Sequence, residues 1–257
     1  MPRFAANLGY LFPEHEFLGR FEAAARAGFR GVEFAQPYAW PAAEIRARLE
    51  ANGLECELLN LPMGDRAKGD FGIACRPGRE AQFREGVALG IEYARALAVP
   101  KLNCIAGTMA PGEDRSSLLR TLASNLRYAA REFKAAGLDL VVEAINTTDA
   151  PGFLLPRAGE AAELIAEVAE PNLFLQCDLY HAAMMGEDPA ATLERHWDVI
   201  GHIQFADAPG RHEPGTGTLD FASLFAQIDA RGYPGWVAAE YRPTRRTEDT
   251  LSTFLRT

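Results

Sequence analysis

Short apolar, β-branched segments alternate along the chain with longer segments whose apolar positions repeat every 3.6 residues. The short segments predict eight strands, at residues 4–7, 31–34, 55–60, 101–104, 139–143, 173–177, 203–205 and 236–240. The longer segments predict helices at residues 16–27, 42–52, 79–97, 116–136, 157–168, 190–199 and 221–231. This alternation is typical of βα units around a parallel sheet. Eight units predict an α/β fold, a (β/α)8 TIM barrel, with residues 1–257 forming a single domain.

An open doubly wound sheet also alternates strands and helices. That fold binds dinucleotides at a G-x-G-x-x-G turn directly after a strand, and no predicted strand is followed by one. The pattern therefore favours the barrel. Its two longest connections on the strand-exit side, residues 61–77 and 206–220, lie where barrels keep their sites, so each is a candidate lid.

Charge and composition exclude several classes of function. The chain has 26 basic and 35 acidic residues, and its net charge of −9 disfavours nucleic acid as a partner. Neither a signal peptide nor an apolar run long enough to span a membrane occurs, so we expect a cytoplasmic protein with no membrane partner. The four cysteines show no C-x-x-C pairing and are expected to be reduced packing residues. The oligomeric state stays open, a homo-oligomer included.

Four polar residues stand at, or just past, the ends of otherwise apolar strands: Glu143, Asp178, Gln204 and Glu240. Successive members are 35, 26 and 36 residues apart, which is close to one βα unit each. In a barrel this spacing brings all four side chains to the same height over about half of the mouth. Three buried carboxylates cannot all stay ionised without a positive charge between them. Because all four residues offer oxygen, the sequence predicts a hard divalent cation, Mg2+ or Mn2+.

His181 follows Asp178 by three residues, within reach of a bound substrate or of the metal site. A solvated loop histidine is the alternative interpretation. The other histidines show no paired metal spacing, and no G-x-S-x-G serine motif occurs. A single polar residue at a strand end needs no explanation beyond contact with solvent, but four at barrel spacing favour a site.

Several stretches of the chain resemble the hydroxypyruvate isomerase family. They are NCIAG at 103–107, EAIN at 143–146, PGF at 151–153, DLYH at 178–181, HIQFADAPGRHEPG at 202–215, GYPGW at 232–236 and EY at 240–241. The similarity covers nearly the whole chain and is most specific in the block at 202–215, whereas it is looser before residue 100.

This resemblance implies a xylose isomerase-like barrel that interconverts hydroxypyruvate and tartronate semialdehyde or, in a sister group, isomerises 2-oxo-tetronates. The implied substrate is thus a small hydroxy-oxo acid. The family's catalytic acid/base pair matches Glu143 and Glu240, and its metal ligands match Glu143, Asp178, Gln204 and Glu240. One glutamate would take a proton from the hydroxyl-bearing carbon while the other supplies one to the former carbonyl carbon, and His181 would donate to the enediolate oxygen.

The chain departs from the family pattern at three positions. Ala144 stands where a proline is common, Phe71 where an arginine is expected, and Thr218 where an acidic residue is expected. The missing arginine bears on substrate choice, because it could have paired with the substrate's carboxylate.

Three other functions stay open on the sequence. A ketose 3-epimerase would use the same metal site for a larger substrate, on which Tyr38, Trp40 and Phe71 could stack. An endonuclease-like metal phosphodiesterase would need several zinc-binding histidines and a basic face. A binding protein without catalysis is the third, and the intact acidic residues at the strand ends argue against it.

Overall fold

Eight parallel strands close into a barrel in the computed structural model, which describes residues 1–255. The strands β1 to β8 span Arg3–Asn7, Gly31–Phe34, Glu55–Asn60, Lys101–Cys104, Asp139–Glu143, Leu173–Asp178, Ile200–Phe205 and Trp236–Ala239. Each strand pairs with the next one along the chain, and β8 pairs with β1. The predicted barrel is therefore confirmed, and the doubly wound alternative is wrong.

Helices surround the barrel between successive strands. The helices α1 to α8 of the described residues span Phe17–Arg26, Ala42–Asn52, Glu80–Leu97, Arg115–Ala136, Ala158–Val168, Leu179–Met184, Pro189–His196 and Phe221–Ala230. The apolar pattern predicts seven of them, with each end within three residues of its observed position. The largest error is at the end of α7, where the predicted helix continues to residue 199 but the chain forms a 3-10 turn at Trp197–Val199. The pattern misses α6, whose six residues are too few to show a helical period.

Two helices end on alanine in the left-handed conformation that usually selects glycine. Ala98 after α3 has φ 56° and Ala169 after α5 has φ 55°. Glycine occupies the same position after α2 and α4, at Gly53 and Gly137. The alanine Cβ is disfavoured there, so these two caps are mildly strained.

The barrel interior changes character along its axis. Toward the strand starts, Ala5, Trp236 and Ala238 form a small apolar cluster. A Cβ on Gly31 would lie 2.5 Å from the Trp236 ring, so the indole fits only because that residue is glycine. Toward the strand exits the interior is polar, and Glu33 of β2 bonds across it to β7. The polar half faces the mouth that the sequence predicts as the site.

The cysteines and the helices each bear on an expectation from the sequence. The four cysteines are free and buried, which confirms the prediction of reduced packing residues. Within residues 1–255, no helix has both the length and the apolar character needed to cross a bilayer.

The connection between β3 and α3 is tied down at its base. Asp70 accepts two hydrogen bonds from the Arg79 guanidinium, at 2.6 and 2.7 Å, and a third from the Asp65 backbone N–H at 2.7 Å. The ring of the next residue, Phe71, lies 5.9 Å from Phe153, on the connection after β5. This loop therefore contacts another strand-exit connection, and its action as a lid stays a prediction.

Candidate active site

The four strand-end residues occupy the positions that the barrel rule predicts for them. Glu143 and Asp178 are the last residues of β5 and β6, Gln204 is the last but one of β7, and Glu240 directly follows β8. Asp178 and Gln204 are paired in the sheet register. Glu143, Asp178 and Gln204 are buried, and Glu240 is only slightly exposed. The fold therefore gathers these side chains under the mouth, while their chemical roles stay predictions.

Glu143, Asp178 and His181 form one compact buried cluster. One potential metal-binding atom from each residue lies within 4.8 Å of those of the other two. The His181 Nε2 atom is 3.5 Å from Asp178 Oδ2 and 3.7 Å from Glu143 Oε1. His181 is buried because α6 begins at once after β6, with Asp178 Oδ1 accepting the N–H of Tyr180 at 2.9 Å. The alternative of a solvated loop histidine is wrong.

Glu240 is joined to this cluster through Arg211, a residue to which the sequence assigned no role. The Arg211 Nη2 atom donates to Glu240 Oε2 and lies 3.4 Å from Asp178 Oδ2. The guanidinium is stacked against the rings of Tyr10 and Tyr180, 4.7 and 5.0 Å from their centroids. One buried cation therefore bridges two of the predicted metal-binding carboxylates.

Arg211 is held in place by an unusual loop conformation. Its φ of 58° is left-handed, which is costly for a residue with a long side chain. The loop is organised by the buried Asp207, whose carboxylate accepts the backbone N–H groups of Ala208, Gly215, Gly217 and Leu219 at 2.8 to 3.1 Å. The connection at 206–220 is thus an anchored platform for Arg211, and its predicted role as a lid is not tested by these contacts.

Gln204 faces a second network, which is centred on Glu33. The Gln204 Nε2 atom donates to Glu33 Oε1 at 2.6 Å, and its Oε1 atom accepts from Gln176 Nε2 at 2.6 Å. Asn7 Nδ2 donates to both Glu33 at 2.7 Å and Glu240 at 2.8 Å. His202 Nε2 lies 2.6 Å from Glu33 Oε2. Sequence reasoning missed Glu33, although a lone charge within the apolar strand GVEF was a usable signal.

Burial dominates the electrostatics of the cluster. It raises the pKa of Glu143 well above its usual range, and the nearby Glu240 and Asp178 charges raise it further. Burial likewise raises the pKa of Asp178 and raises the pKa of Glu240 to about 8, with Arg211 opposing both shifts. Burial lowers the pKa of His181, so its imidazole is neutral near pH 7. If all three carboxylates were ionised, their negative charge would exceed what Arg211 alone can balance.

These residues fit a hard divalent cation. The carboxylates offer oxygen ligands, and the position of the guanidinium between Asp178 and Glu240 marks where they attract positive charge. Among the described residues, Asn103 Oδ1 and Gln176 Oε1 are buried polar atoms without a hydrogen-bond partner. Both belong to residues that bond to predicted ligands, Glu143 and Gln204 respectively. The side chains next to the predicted ligands therefore contain acceptors that the protein itself does not satisfy.

Comparison with known proteins identifies the family. The model of the xylose isomerase-like TIM barrel family matches residues 21–257. The chain is 47% identical to hydroxypyruvate isomerase of Escherichia coli strain K12 over 251 residues, which cover 98% of this chain and 97% of that protein. It is 45% identical to 2-oxo-tetronate isomerase of Cupriavidus necator, with 98% of this chain and 96% of that protein covered.

A solved structure agrees with the sequence relatives. The crystal structure titled as an AP endonuclease of family 2 from Brucella melitensis superposes with a TM-score of 0.96 at 41% identity and covers 99% of this chain and 98% of that one. Identity at this level across the whole barrel, together with the two isomerases, confirms the expected relationship. The chain therefore belongs to the hydroxypyruvate isomerase family, within the xylose isomerase-like TIM barrels.

Proposed function

We propose that the protein interconverts hydroxypyruvate and tartronate semialdehyde, using a divalent cation, Mg2+ or Mn2+, at the barrel mouth. The observation that carries this proposal is the convergence of Glu143, Asp178 and Glu240 on His181 and Arg211. The two glutamates have raised pKa values, which suits groups that must exchange protons near neutral pH. The 47% identity to a hydroxypyruvate isomerase supports this substrate.

The cation would be held by Glu143, Asp178, Gln204 and Glu240. When bound, it would polarise the substrate's carbonyl group and balance the charge that develops on the substrate oxygens. The Gln204 nitrogen donates to Glu33 and its oxygen accepts from Gln176, so a cation would use the second lone pair of that oxygen. The ligand set follows the sequence prediction and combines three carboxylates with one neutral amide.

The glutamate pair accounts for the proton transfers. One of Glu143 and Glu240 removes a proton from the hydroxymethyl carbon, and the other delivers a proton to the former carbonyl carbon. A hydroxyl proton passes between the two oxygens, so the alcohol ends as an aldehyde and the ketone as an alcohol. Arg211 favours the ionised form of Glu240, which suits that residue to act as the base. His181 lies beside both carboxylates of the cluster and would donate to a substrate oxygen.

Among the alternatives, a 2-oxo-tetronate as substrate stays the runner-up, because a relative of that name is 45% identical. The ketose epimerase is less favoured, since two of the three aromatic residues expected to stack on a longer sugar have partners within the protein. Trp40 stacks on Phe17 at 4.3 Å, and the Tyr38 hydroxyl donates to the Asn60 carbonyl. For a metal phosphodiesterase, the buried cluster in residues 1–255 has His181 as its one histidine, which falls short of a zinc site of several histidines.

The proposal is tested by turnover with and without metal. Metal-stripped protein is mixed with hydroxypyruvate, and separately with a 2-oxo-tetronate, before Mg2+ or Mn2+ is added and carbon-bound proton exchange and product are followed by NMR. Metal-dependent turnover of hydroxypyruvate is expected, and turnover of the tetronate alone would transfer the assignment to the runner-up. No exchange on either acid, with metal shown to be bound, would overturn the isomerase proposal.

Two variants test the acid/base pair. Glu143→Gln and Glu240→Gln should each keep the fold and lower kcat by about 10²- to 10⁴-fold, because each removes one proton-transfer group. Glu57→Gln is a matched control, since Glu57 is a buried carboxylate paired with Lys101 at the opposite end of the barrel. Near-normal turnover in both active-site variants would show that the pair does not carry the reaction.

A further inference from the structure

The side chain of Asn146 has only one orientation that its surroundings permit. Asn146 follows β5 by three residues, and its Oδ1 atom accepts the backbone N–H groups of Thr148 at 3.0 Å and Asp149 at 2.8 Å. Its Nδ2 atom lies 3.2 Å from the Asp149 carboxylate, which can only accept. If the amide oxygen and nitrogen were exchanged, the NH2 group would face two backbone N–H donors and the oxygen would face the Asp149 carboxylate. The nitrogen therefore stands at the Nδ2 position and donates.

This donor is directed at one nitrogen of the His181 ring. Asn146 Nδ2 lies 2.6 Å from His181 Nδ1, and the backbone N–H of Asn146 is directed at the same atom from 3.5 Å. Both groups donate, so Nδ1 must present its lone pair. In a neutral imidazole the single proton then sits on the other nitrogen, Nε2.

The protonated nitrogen is the one that faces the reaction centre. His181 Nε2 lies 3.5 Å from Asp178 Oδ2 and 3.7 Å from Glu143 Oε1. A histidine that binds metal shows the reverse pattern: its far nitrogen donates to a carboxylate or carbonyl, and the near one offers a lone pair. Here the far nitrogen receives hydrogen bonds, so the near nitrogen carries N–H.

We propose that Asn146 is a positioning residue that fixes His181 as the Nε2–H tautomer, so that His181 donates a hydrogen bond to a substrate oxygen and is not a metal ligand. The proposal rests on the isomerase function for its catalytic consequence, although the tautomer itself does not depend on it. Under this proposal His181 does not bind the metal, whereas Glu143 and Asp178 do, although potential metal-binding atoms of all three residues lie within 4.8 Å of one another. Asn146 then acts on the reaction indirectly, by setting which nitrogen of the His181 ring carries the proton.

The first test is the tautomer in the unmodified protein. Two-dimensional 1H–15N spectra that show both ring nitrogens of each histidine are recorded on 15N-histidine-labelled protein, and the His181 signals are assigned by their loss in His181→Gln. The expected result is a proton on Nε2 and an unprotonated Nδ1. A proton on Nδ1 overturns the proposal, whether or not the protein turns over hydroxypyruvate.

The second test reverses the tautomer. In Asn146→Asp, a carboxylate oxygen faces Nδ1 and draws the ring proton to it, which leaves a lone pair on Nε2. We expect kcat for hydroxypyruvate to fall at least about 100-fold with little change in KM, since a reversed tautomer in a catalytic triad costs more than that. Metal ligation is tested separately in His181→Ala, whose Mn2+ affinity, measured by calorimetry, should stay close to that of the unmodified protein. A loss of Mn2+ affinity in His181→Ala equal to its loss of kcat would identify His181 as a metal ligand and overturn the proposal.

A double variant separates this role from a merely structural one. In His181→Gln, the side-chain amide places an N–H donor near the position of Nε2 and has no tautomer to set. Asn146→Asp should therefore cost much less kcat in the His181→Gln background than in the unmodified protein. An equal loss in both backgrounds would mean that Asn146 acts on the loop and not through the ring.

If inactivity on both acids showed the isomerase proposal itself to be wrong, the ring spectra would still decide the tautomer. The two failures are therefore distinguishable.

Discussion

Replacing Asp207 by asparagine should destabilise the protein strongly, although it only exchanges one carboxylate oxygen for an NH2 group. The carboxylate is fully buried and accepts four backbone N–H groups, two on each oxygen. In Asp207→Asn, one of those oxygens becomes an NH2 group that faces two N–H donors. Two hydrogen bonds are lost, and all four candidate donors lie in the connection that carries Arg211.

The magnitude follows from the number of bonds. A hydrogen bond to a charged acceptor contributes about 1.5 to 3 kcal/mol, so the loss of two predicts a decrease of roughly 3 to 6 kcal/mol in the free energy of unfolding. For a chain of this size that corresponds to a decrease in Tm of roughly 6 to 24 °C. Turnover should fall as well, because Arg211 loses the platform that holds it against Glu240.

Thermal unfolding followed by circular dichroism measures the effect directly, with a steady-state assay on hydroxypyruvate alongside. Asp220→Asn is the matched control, because Asp220 caps α8 at the surface and asparagine caps a helix about as well as aspartate, so its cost should stay below about 1 kcal/mol. A Tm for Asp207→Asn within the range of the control would refute the reasoning, since it would mean that the four N–H groups find other acceptors at no cost.

Two further predictions concern metal binding and the helix caps. Because burial raises the pKa of Glu143 and raises that of Glu240 to about 8, both hold protons near neutrality, and a cation must displace them. Mn2+ affinity should therefore increase as the pH rises from about 6 to about 8. Calorimetry in buffers of different ionisation enthalpy should detect the release of protons on binding. An affinity that does not change with pH would contradict this prediction. Ala98→Gly and Ala169→Gly should each stabilise the protein by about 0.5 to 1 kcal/mol, because glycine accepts their positive φ, whereas Ala135→Gly inside α4 should destabilise it. Denaturant titration decides this, and a loss of stability at either cap would refute it.

The strand-end residues could be predicted because one rule places them. Parallel strands of a barrel exit at one end, so Glu143, Asp178 and Glu240 had to share that end once the strands were recognised. The same apolar pattern found all eight strands, and errors fell at ends such as β7, which begins at Ile200 instead of residue 203. Periodicity thus suffices for elements that repeat their pattern over several residues.

Arg211 could not be predicted from local pattern. Its position depends on a left-handed backbone, which sequence rules assign to the glycine before it and not to an arginine. The backbone is stabilised by Asp207 through hydrogen bonds to residues up to twelve positions away. For Glu33 the lone charge in an apolar strand is a local signal, but its partner His202 is 169 residues distant. The local sequence therefore does not reveal which contacts such a residue makes.

The network around Glu33 has a consequence for the evolution of the barrel. Losing Glu33 would leave buried donors of Asn7, His202 and Gln204 without an acceptor, and losing any donor would leave a buried charge less well compensated. Each single substitution is therefore costly, while joint replacement by apolar residues of similar volume can be neutral. Neutral drift cannot pass easily through the single-substitution intermediates. These four residues should be inherited or exchanged together, so that lineages differ here by whole sets and seldom by one residue.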